Sequence, residues 1–513
     1  MEGSMNLAVI ASRAQLGIQA PPVHIEVHLA NGLPSFAMVG LPEAAVKESR
    51  DRVRAALQTS GFEFPARRIT VNLAPADLPK DGGRFDLGIA LGILAASGQI
   101  PMASIRNSEF LGELGLTGEL RPVRGVLPAA MAAHQAGRTL VLPRGDADEA
   151  VLVEDVNVIA AGHLLEVCGH LCGESPLDSH PRRSEGTDDD HGSALPDLAD
   201  VRGQPQARRA LEAAASGAHH LLMIGPPGTG KTMLASRLPG LLPPMSEAEA
   251  LETAALHAIS QQGIDTRRWR TRPFRSPHHT ASGVALVGGG SRPRPGEISL
   301  AHHGILFLDE MAEFDRRVLD VLREPLETGQ ITISRAAHQA EFPARFQLVA
   351  AMNPCPQGYD CDLGPQCRCT PEQRRRQRGR ISAPLLDRID LCIEVPRLPR
   401  DLLMDAGPTP ESSATVRARV LRCREGQLAR QGCLNTALSG RELERLTELS
   451  AENRRLLEQA MDRFRLSARS YHRILRVART LADMDEQATI QQAHLMEALS
   501  YRAMDRWRED TGG

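Results

Sequence analysis

Residues Gly225-Pro226-Pro227-Gly228-Thr229-Gly230-Lys231-Thr232 have the types and spacing of a phosphate cradle. Glycines at fixed offsets let backbone N–H groups turn toward an anion, and a helix starting at the end of such a loop adds its positive dipole. Lys231 would reach the β- and γ-phosphates of a nucleotide, and the Thr232 hydroxyl would sit on Mg²⁺. A second segment, Ile305-Leu-Phe-Leu-Asp-Glu310, is an apolar run ending in two carboxylates. Asp309 would hold the magnesium shell, and Glu310 would orient and deprotonate an attacking water. An ordinary glycine turn or strand end could carry either segment alone; their order in one chain is what makes the pair specific for nucleotide hydrolysis.

These residues need strands and helices to aim them. The apolar run 221–224 reads as a buried strand and 233–238 as the following helix, the strand–loop–helix context a phosphate loop requires. Residues 305–308 and 346–352 read as further buried strands. Earlier in the chain, 23–29 and 68–73 alternate as strands, 44–60 has helical spacing, and 85–96 is an apolar helix. A helix at 126–135 is followed by a strand at 139–142. From about 411 onward the chain reads as helical and charged, with 441–457 and 474–483 as helices. Residues 173–196 carry Asp188-Asp-Asp190 with Ser, Gly and Pro and little that is apolar, the composition of a solvated linker. Four segments result: 1–172, the linker 173–196, an α/β nucleotide unit at 197–400, and a helical segment at 401–513.

Bulk composition bounds the rest. A chain of 513 residues holds about two to four domains. Aromatics are only 3% of it, so its cores rest on Leu, Ile, Val and Ala. The net charge of −3 offers no general attraction for nucleic acid, leaving local basic patches to do that work. No apolar run approaches the roughly 18 residues of a membrane span, and the first residues lack a signal layout, so a cytoplasmic protein with no membrane partner is expected. Nine cysteines in such a chain suit reduced thiols or a metal better than disulfides.

The chain resembles the magnesium-chelatase-like AAA+ family. Besides 225–232 and 307–310, the motifs carrying the resemblance are Asn72-Leu-Ala-Pro-Ala76, Arg84-Phe-Asp-Leu87, Arg275-Ser-Pro-His-His279, Ala350-Ala-Met-Asn-Pro354 and Pro384-Leu-Leu-Asp-Arg-Ile-Asp390. The resemblance implies a P-loop AAA+ core with a C-terminal helical lid, using ATP and Mg²⁺. It implies a homo-oligomer, a hexamer, acting as an ATP-driven motor on branched or single-stranded recombination intermediates of DNA, with branch migration in natural transformation as the process. It makes Asn353 sensor 1, which helps position the lytic water. It makes Arg388 the arginine finger that reaches the nucleotide of a neighbouring subunit, with Arg380 as rival. It makes Arg469 sensor 2 in the lid, with Arg473 as rival. An Asn-Pro turn and surface ion pairs are the plainer readings of these residues.

Four cysteines, Cys355, Cys361, Cys367 and Cys369, fall in one loop rich in Gly, Pro and Asp. Thiolates could close a structural zinc site, but the spacing differs from paired knuckles, and free thiols fit equally well. Cations for DNA occur in Arg267-Arg-Trp-Arg-Thr-Arg272 with Arg275, in Ser291-Arg-Pro-Arg294, and in the run 374–380. Residues 330–342 alternate like a hairpin. In related helicases such a hairpin points into the pore, which implies that Arg335 and His338 at its tip touch phosphate.

The first 165 residues resemble the Lon-protease-like, ribosomal S5 domain 2-like α+β fold. The resemblance puts Arg84 where that protease has its serine and Leu127 where it has its lysine, so the covalent route is closed and a binding or scaffold role is expected. Two further readings stand beside the DNA motor. One is a metallochelatase-type motor subunit that remodels a partner protein, against which the N-terminal segment argues. The other is a nucleotide switch without turnover, against which Glu310 and Arg388 argue.

Overall fold

The computed structural model describes residues 6–40, 44–78, 80, 82–182, 195–260, 263–266, 268–290, 294–334, 339–356, 369–398, 410–464 and 466–502. The chain divides into two compact units, one of residues 1–190 with 247–269, the other of 191–246 with 270–513.

The first unit is built on a seven-stranded mixed sheet. Its strands are β1 (Leu7–Arg13), β2 (Pro22–Ala30), β3 (Ser35–Val39), β4 (Arg68–Ala74), β5 (Ser108–Phe110), β6 (Thr139–Pro143) and β7 (Val158–Ala161), in the order β3-β4-β2-β1-β5-β6-β7. Strict alternation in β2 sends Val23, Ile25, Val27 and Leu29 inward, and β4 does the same with Ile69, Val71 and Leu73. Against this face lies the helix Asp86–Ala96, every residue of which is buried. It reads as apolar all round because it is covered all round. Arg84 and Leu127, the positions the Lon-like resemblance singles out, are both buried. The Leu127 amide donates to Glu149 Oε1 at 3.0 Å, and the Val123 amide donates to Asp146 Oδ2 at 2.9 Å. Burial raises the Asp146 carboxyl to about 6 and the Glu149 carboxyl to about 7.

The helix Glu247–Ala258 falls inside 197–400 in sequence, yet it belongs to the first unit. Its Ala254 and Ala258 are buried in a cluster with Val126, Ala129, Ala130 and Ala133 of the helix Val126–Gln135. The start of the expected linker is also structured on this unit. The His180 amide donates to Val158 O at 2.7 Å, and Arg182 pairs with Glu154 at 2.8 Å. The acidic residues 188–190 lie outside the described residues.

The second unit holds a five-stranded parallel sheet. Strands β8 (Leu221–Ile224), β9 (Phe274–Arg275), β10 (Ile305–Leu308), β13 (Gln347–Met352) and β14 (Leu391–Glu394) run in the order β9-β10-β13-β8-β14. Between β10 and β13 in sequence, β11 (Gln330–Ser334) and β12 (Gln339–Pro343) form a separate antiparallel hairpin. Strands β8, β10 and β13 are buried throughout, the mark of parallel strands covered on both faces. The C-terminal helices share the core of the sheet. Leu475, Ala478 and Leu481 of the helix Ala468–Met484 are in one buried cluster with Leu221, Met223, Val349 and Leu391. The stretch 441–457 is two helices, Gly440–Leu446 and Ala451–Arg463, because Ser450 starts the second by accepting the Asn453 amide at 3.2 Å. No described helix is long and apolar enough to cross a membrane.

Candidate nucleotide site

Strand β8 sits inside the sheet with β13 on one side and β14 on the other, so the chain departs from it at a point where strand order reverses. Ligands of open parallel sheets bind outside the carboxyl ends of the strands at such points. The 225–232 loop follows β8 directly. A Cβ on Gly225 would stand 2.2 Å from the Val395 carbonyl oxygen, so only glycine lets the loop leave the sheet here. Gly228 and Gly230 take left-handed φ of 78° and 87°, which turns the loop into the helix Lys231–Leu241.

Lys231 is 8% exposed. Its ammonium donates to Gly225 O at 2.7 Å, to Pro226 O at 2.8 Å and to Asn353 Oδ1 at 3.3 Å. Burial lowers its pKa, against the pull of Asp309 and Glu310. Thr232 Oγ1 donates to Asp309 Oδ2 at 2.6 Å. A hydroxyl beside a carboxylate is the oxygen pair a magnesium ion takes, and loop amides at a helix N-terminus suit phosphate. The residues present therefore fit Mg²⁺ and a nucleotide.

Glu310 departs from ordinary backbone geometry, with φ 49° and ψ 45° in the left-handed region. That costs a non-glycine residue on the order of 1 kcal/mol or more and is tolerated where surroundings enforce it. Its amide donates to Asp309 Oδ1 at 2.9 Å, and its carbonyl accepts the Glu313 amide at 2.7 Å. The turn aims a half-exposed carboxylate away from the buried strand, with His279 Nδ1 3.3 Å from Glu310 Oε2. The His279 ring in turn lies tilted beside that of His278, their centroids 4.2 Å apart. The structure thus brings Lys231, Thr232, Asp309, Glu310 and Asn353 to the ends of three adjacent strands. Sequence reasoning gave His279 no role, since nothing in its spacing announces Glu310 as a neighbour.

The arginines are placed differently. Arg388 is held inside its own subunit: one guanidinium nitrogen pairs with Glu327, and Nη1 donates to Pro384 O at 2.6 Å. Arg380, the rival, donates to Ala312 O and Glu313 Oε2, both at 2.8 Å, on the turn after Glu310. Arg469 is exposed at the head of its helix, with no hydrogen bond or ion pair among the described residues. Arg473 is 7% exposed, 3.8 Å from Asp390, and burial lowers it to about 10.

Cys355 and Cys369 are buried, while Cys361 and Cys367 lie outside the described residues. So do Arg335 and His338. Two arginines of the basic segments are occupied. Arg272 donates to Pro243 O and His303 O at 2.7 Å each, and Arg275 makes a two-pronged pair with Glu297 at 2.7 Å. Arg375 and Arg376 are exposed on the helix Pro371–Arg378.

Comparison with known proteins gives a consistent picture. Three family models match: magnesium chelatase, subunit ChlI, at residues 197–403; subunit ChlI of Mg-chelatase at 25–146; and magnesium chelatase, subunit ChlI C-terminal, at 410–502. The chain is 53% identical over 504 residues to competence protein ComM of Haemophilus influenzae, covering 98% of each. It is 50% identical over 502 residues to YifB of Escherichia coli, again covering 98% of each. A partial similarity, 25% over 182 residues, links it to Lon protease 2 of Bacillus subtilis, covering 35% of this chain and 29% of that protein.

Proposed function

The chain belongs to the magnesium chelatase subunit ChlI family, and on that premise we propose that it is an ATP-hydrolysing motor that works as a ring on DNA. The observation that carries hydrolysis is the meeting of Lys231, Thr232, Asp309, Glu310 and Asn353 at the carboxyl ends of β8, β10 and β13. A molecule that only binds nucleotide needs no carboxylate turned out of the sheet at strain. DNA as substrate and the hexameric state rest on the resemblance to the AAA+ family, and a place in competence rests on likeness to the Haemophilus protein, whose name says competence.

Each residue then has a task. Loop amides and the helix N-terminus bind the phosphates, and Lys231 moves its ammonium from loop carbonyls to the β- and γ-oxygens. Thr232 and Asp309 would hold Mg²⁺, which supplies charge neutralisation at the phosphates. Glu310 Oε accepts the proton of the attacking water, and His279 and the left-handed turn fix where that carboxylate points. Asn353, in reach of Lys231, orients water or γ-phosphate. Arg388 from a neighbouring subunit would stabilise the charge of transfer, an effect worth on the order of 10³-fold or more where it operates.

A metallochelatase-type motor subunit acting on a partner protein remains the second reading. The descriptions of the family models favour it, and one of them covers 25–146, so the N-terminal segment does not set this chain apart from chelatase subunits. A labelled four-way DNA junction separates the two. Purified protein with ATP should convert it to unwound or migrated products, and Glu310→Gln should bind ATP yet convert nothing. ATP hydrolysis without any junction conversion would point to the protein-remodelling reading. Near wild-type hydrolysis by Glu310→Gln would remove Glu310 from the chemistry.

A further inference from the structure

Arg388 is placed to be withheld. Its side chain is 11% exposed, and its partner Glu327 is 56% exposed. The remaining contacts are incomplete: Nη1 reaches Pro384 O, while Nε is buried without a hydrogen-bond partner among the described residues. A guanidinium presents five donors in a planar fork, and a phosphate satisfies that fork better than one carboxylate and one carbonyl do. Glu327 and a phosphate therefore compete for the same group.

The position of Glu327 gives this competition a handle. It lies near the end of the helix Arg323–Thr328, which Gly329 closes with φ 71°, and β11 begins at the next residue. The joint is tied on both sides. Thr328 Oγ1 accepts the Gln330 amide at 3.2 Å, and the Ala344 amide, just past the end of β12, donates to Gly329 O at 2.8 Å. These bonds connect the β11–β12 hairpin to the helix end that carries Glu327.

We propose that Glu327 is a positioning residue for Arg388. Its carboxylate keeps the guanidinium within its own subunit until the phosphate of a nucleotide bound by the neighbouring subunit replaces it, and the hairpin governs that exchange. The inference rests on the reading of Arg388 as the arginine finger. Removing the carboxylate leaves the phosphate without this competitor. The engaged fraction should then rise about five-fold, the population shift expected from losing one partly exposed ion pair.

The test is steady-state ATP hydrolysis by the full-length wild type, Glu327→Gln, Glu327→Asp and Arg388→Ala, with and without a four-way DNA junction. Glu327→Gln should raise kcat without DNA about five-fold, leave KM for ATP unchanged, and gain little more from DNA. Glu327→Asp, which keeps the charge, should lie between it and wild type and nearer wild type. An unchanged or lowered kcat without DNA in Glu327→Gln overturns the proposal, and a rise that DNA still multiplies by the wild-type factor overturns the hairpin link. Wild-type hydrolysis by Arg388→Ala sinks the finger reading itself, a separate result.

Discussion

Asp390→Ala should destabilise the second unit far more than a single surface change. Asp390 is 7% exposed at the entry to β14. Its carboxylate lies 3.4 Å from His219 Nδ1, 3.3 Å from the His220 amide and 3.8 Å from Arg473 Nε. His219 continues the chain of contacts to Thr480 at 2.8 Å, on the helix Ala468–Met484. Removing the carboxylate leaves Arg473 as a buried cation without its counter-ion. Breaking one side of a buried pair costs about 3–5 kcal/mol, and the loose 3.8 Å contact argues for the lower end, about 3 kcal/mol. At roughly 2–4 °C per kcal/mol for a unit of this size, the transition should fall by about 6–12 °C. Scanning calorimetry at neutral pH, with the transitions of the two units resolved, is the assay. Asp390→Leu combined with Arg473→Leu should recover part of the loss, because no buried charge remains. A wild-type transition in Asp390→Ala, or losses that simply add in the double variant, would refute the account. The contribution also has a pH signature. Burial works against the Asp390 carboxylate, but the hydrogen bond and charge of His219, with Arg473, hold it below the usual carboxylate range. Its stabilisation is present above the unfolded value of about 4 and disappears as pH falls below that toward the folded value.

The first unit should respond to acid in the opposite sense. Burial raises Asp146 and Glu149 to about 6 and about 7, so between pH 7 and 4.5 the folded state takes up protons before the unfolded chain does. Its stability should rise over that interval by on the order of 4 kcal/mol, and Asp146→Asn with Glu149→Gln should abolish the rise in calorimetry. Gly225→Ala should weaken ATP binding measurably in a titration with a fluorescent analogue, since its methyl group would meet the Val395 carbonyl and force about 1–3 kcal/mol of rearrangement. If the cysteine loop ligates zinc, elemental analysis should find roughly one zinc per chain; active protein purified without chelator and free of zinc would leave Cys355 and Cys369 as buried thiols. Arg335→Ala should lower junction affinity for all sequences and flatten its salt dependence, while ATP binding stays unchanged; equal affinity at every salt concentration would move attention to Arg375 and Arg376.

What the sequence disclosed follows the range of the forces involved. Strand β8, the loop after it and strand β10 were legible because a buried parallel strand is a short apolar run and a phosphate loop is a local pattern. The helix Val126–Gln135 was legible to the residue for the same reason. Strand order, which sets β13 between β8 and β10, depends on contacts between residues far apart in the chain and leaves no local trace. His279 meeting Glu310 and Glu327 meeting Arg388 are of this kind. The break in 441–457 was missed because charged helical spacing runs through it, and only Ser450 as a cap announces it.

The allegiance of the helix Glu247–Ala258 has a consequence for synthesis. The apolar side of Val126–Gln135 waits for Ala254 and Ala258, which leave the ribosome more than a hundred residues later. During that interval the phosphate loop has already emerged, and the nascent N-terminal half exposes a greasy strip that a holding chaperone would recognise. A fragment cut at the 183–194 segment would keep that strip for good. A fragment of this kind should precipitate unless residues 247–269 are supplied, in trans or by fusion, which makes the helix a natural split point for reconstitution.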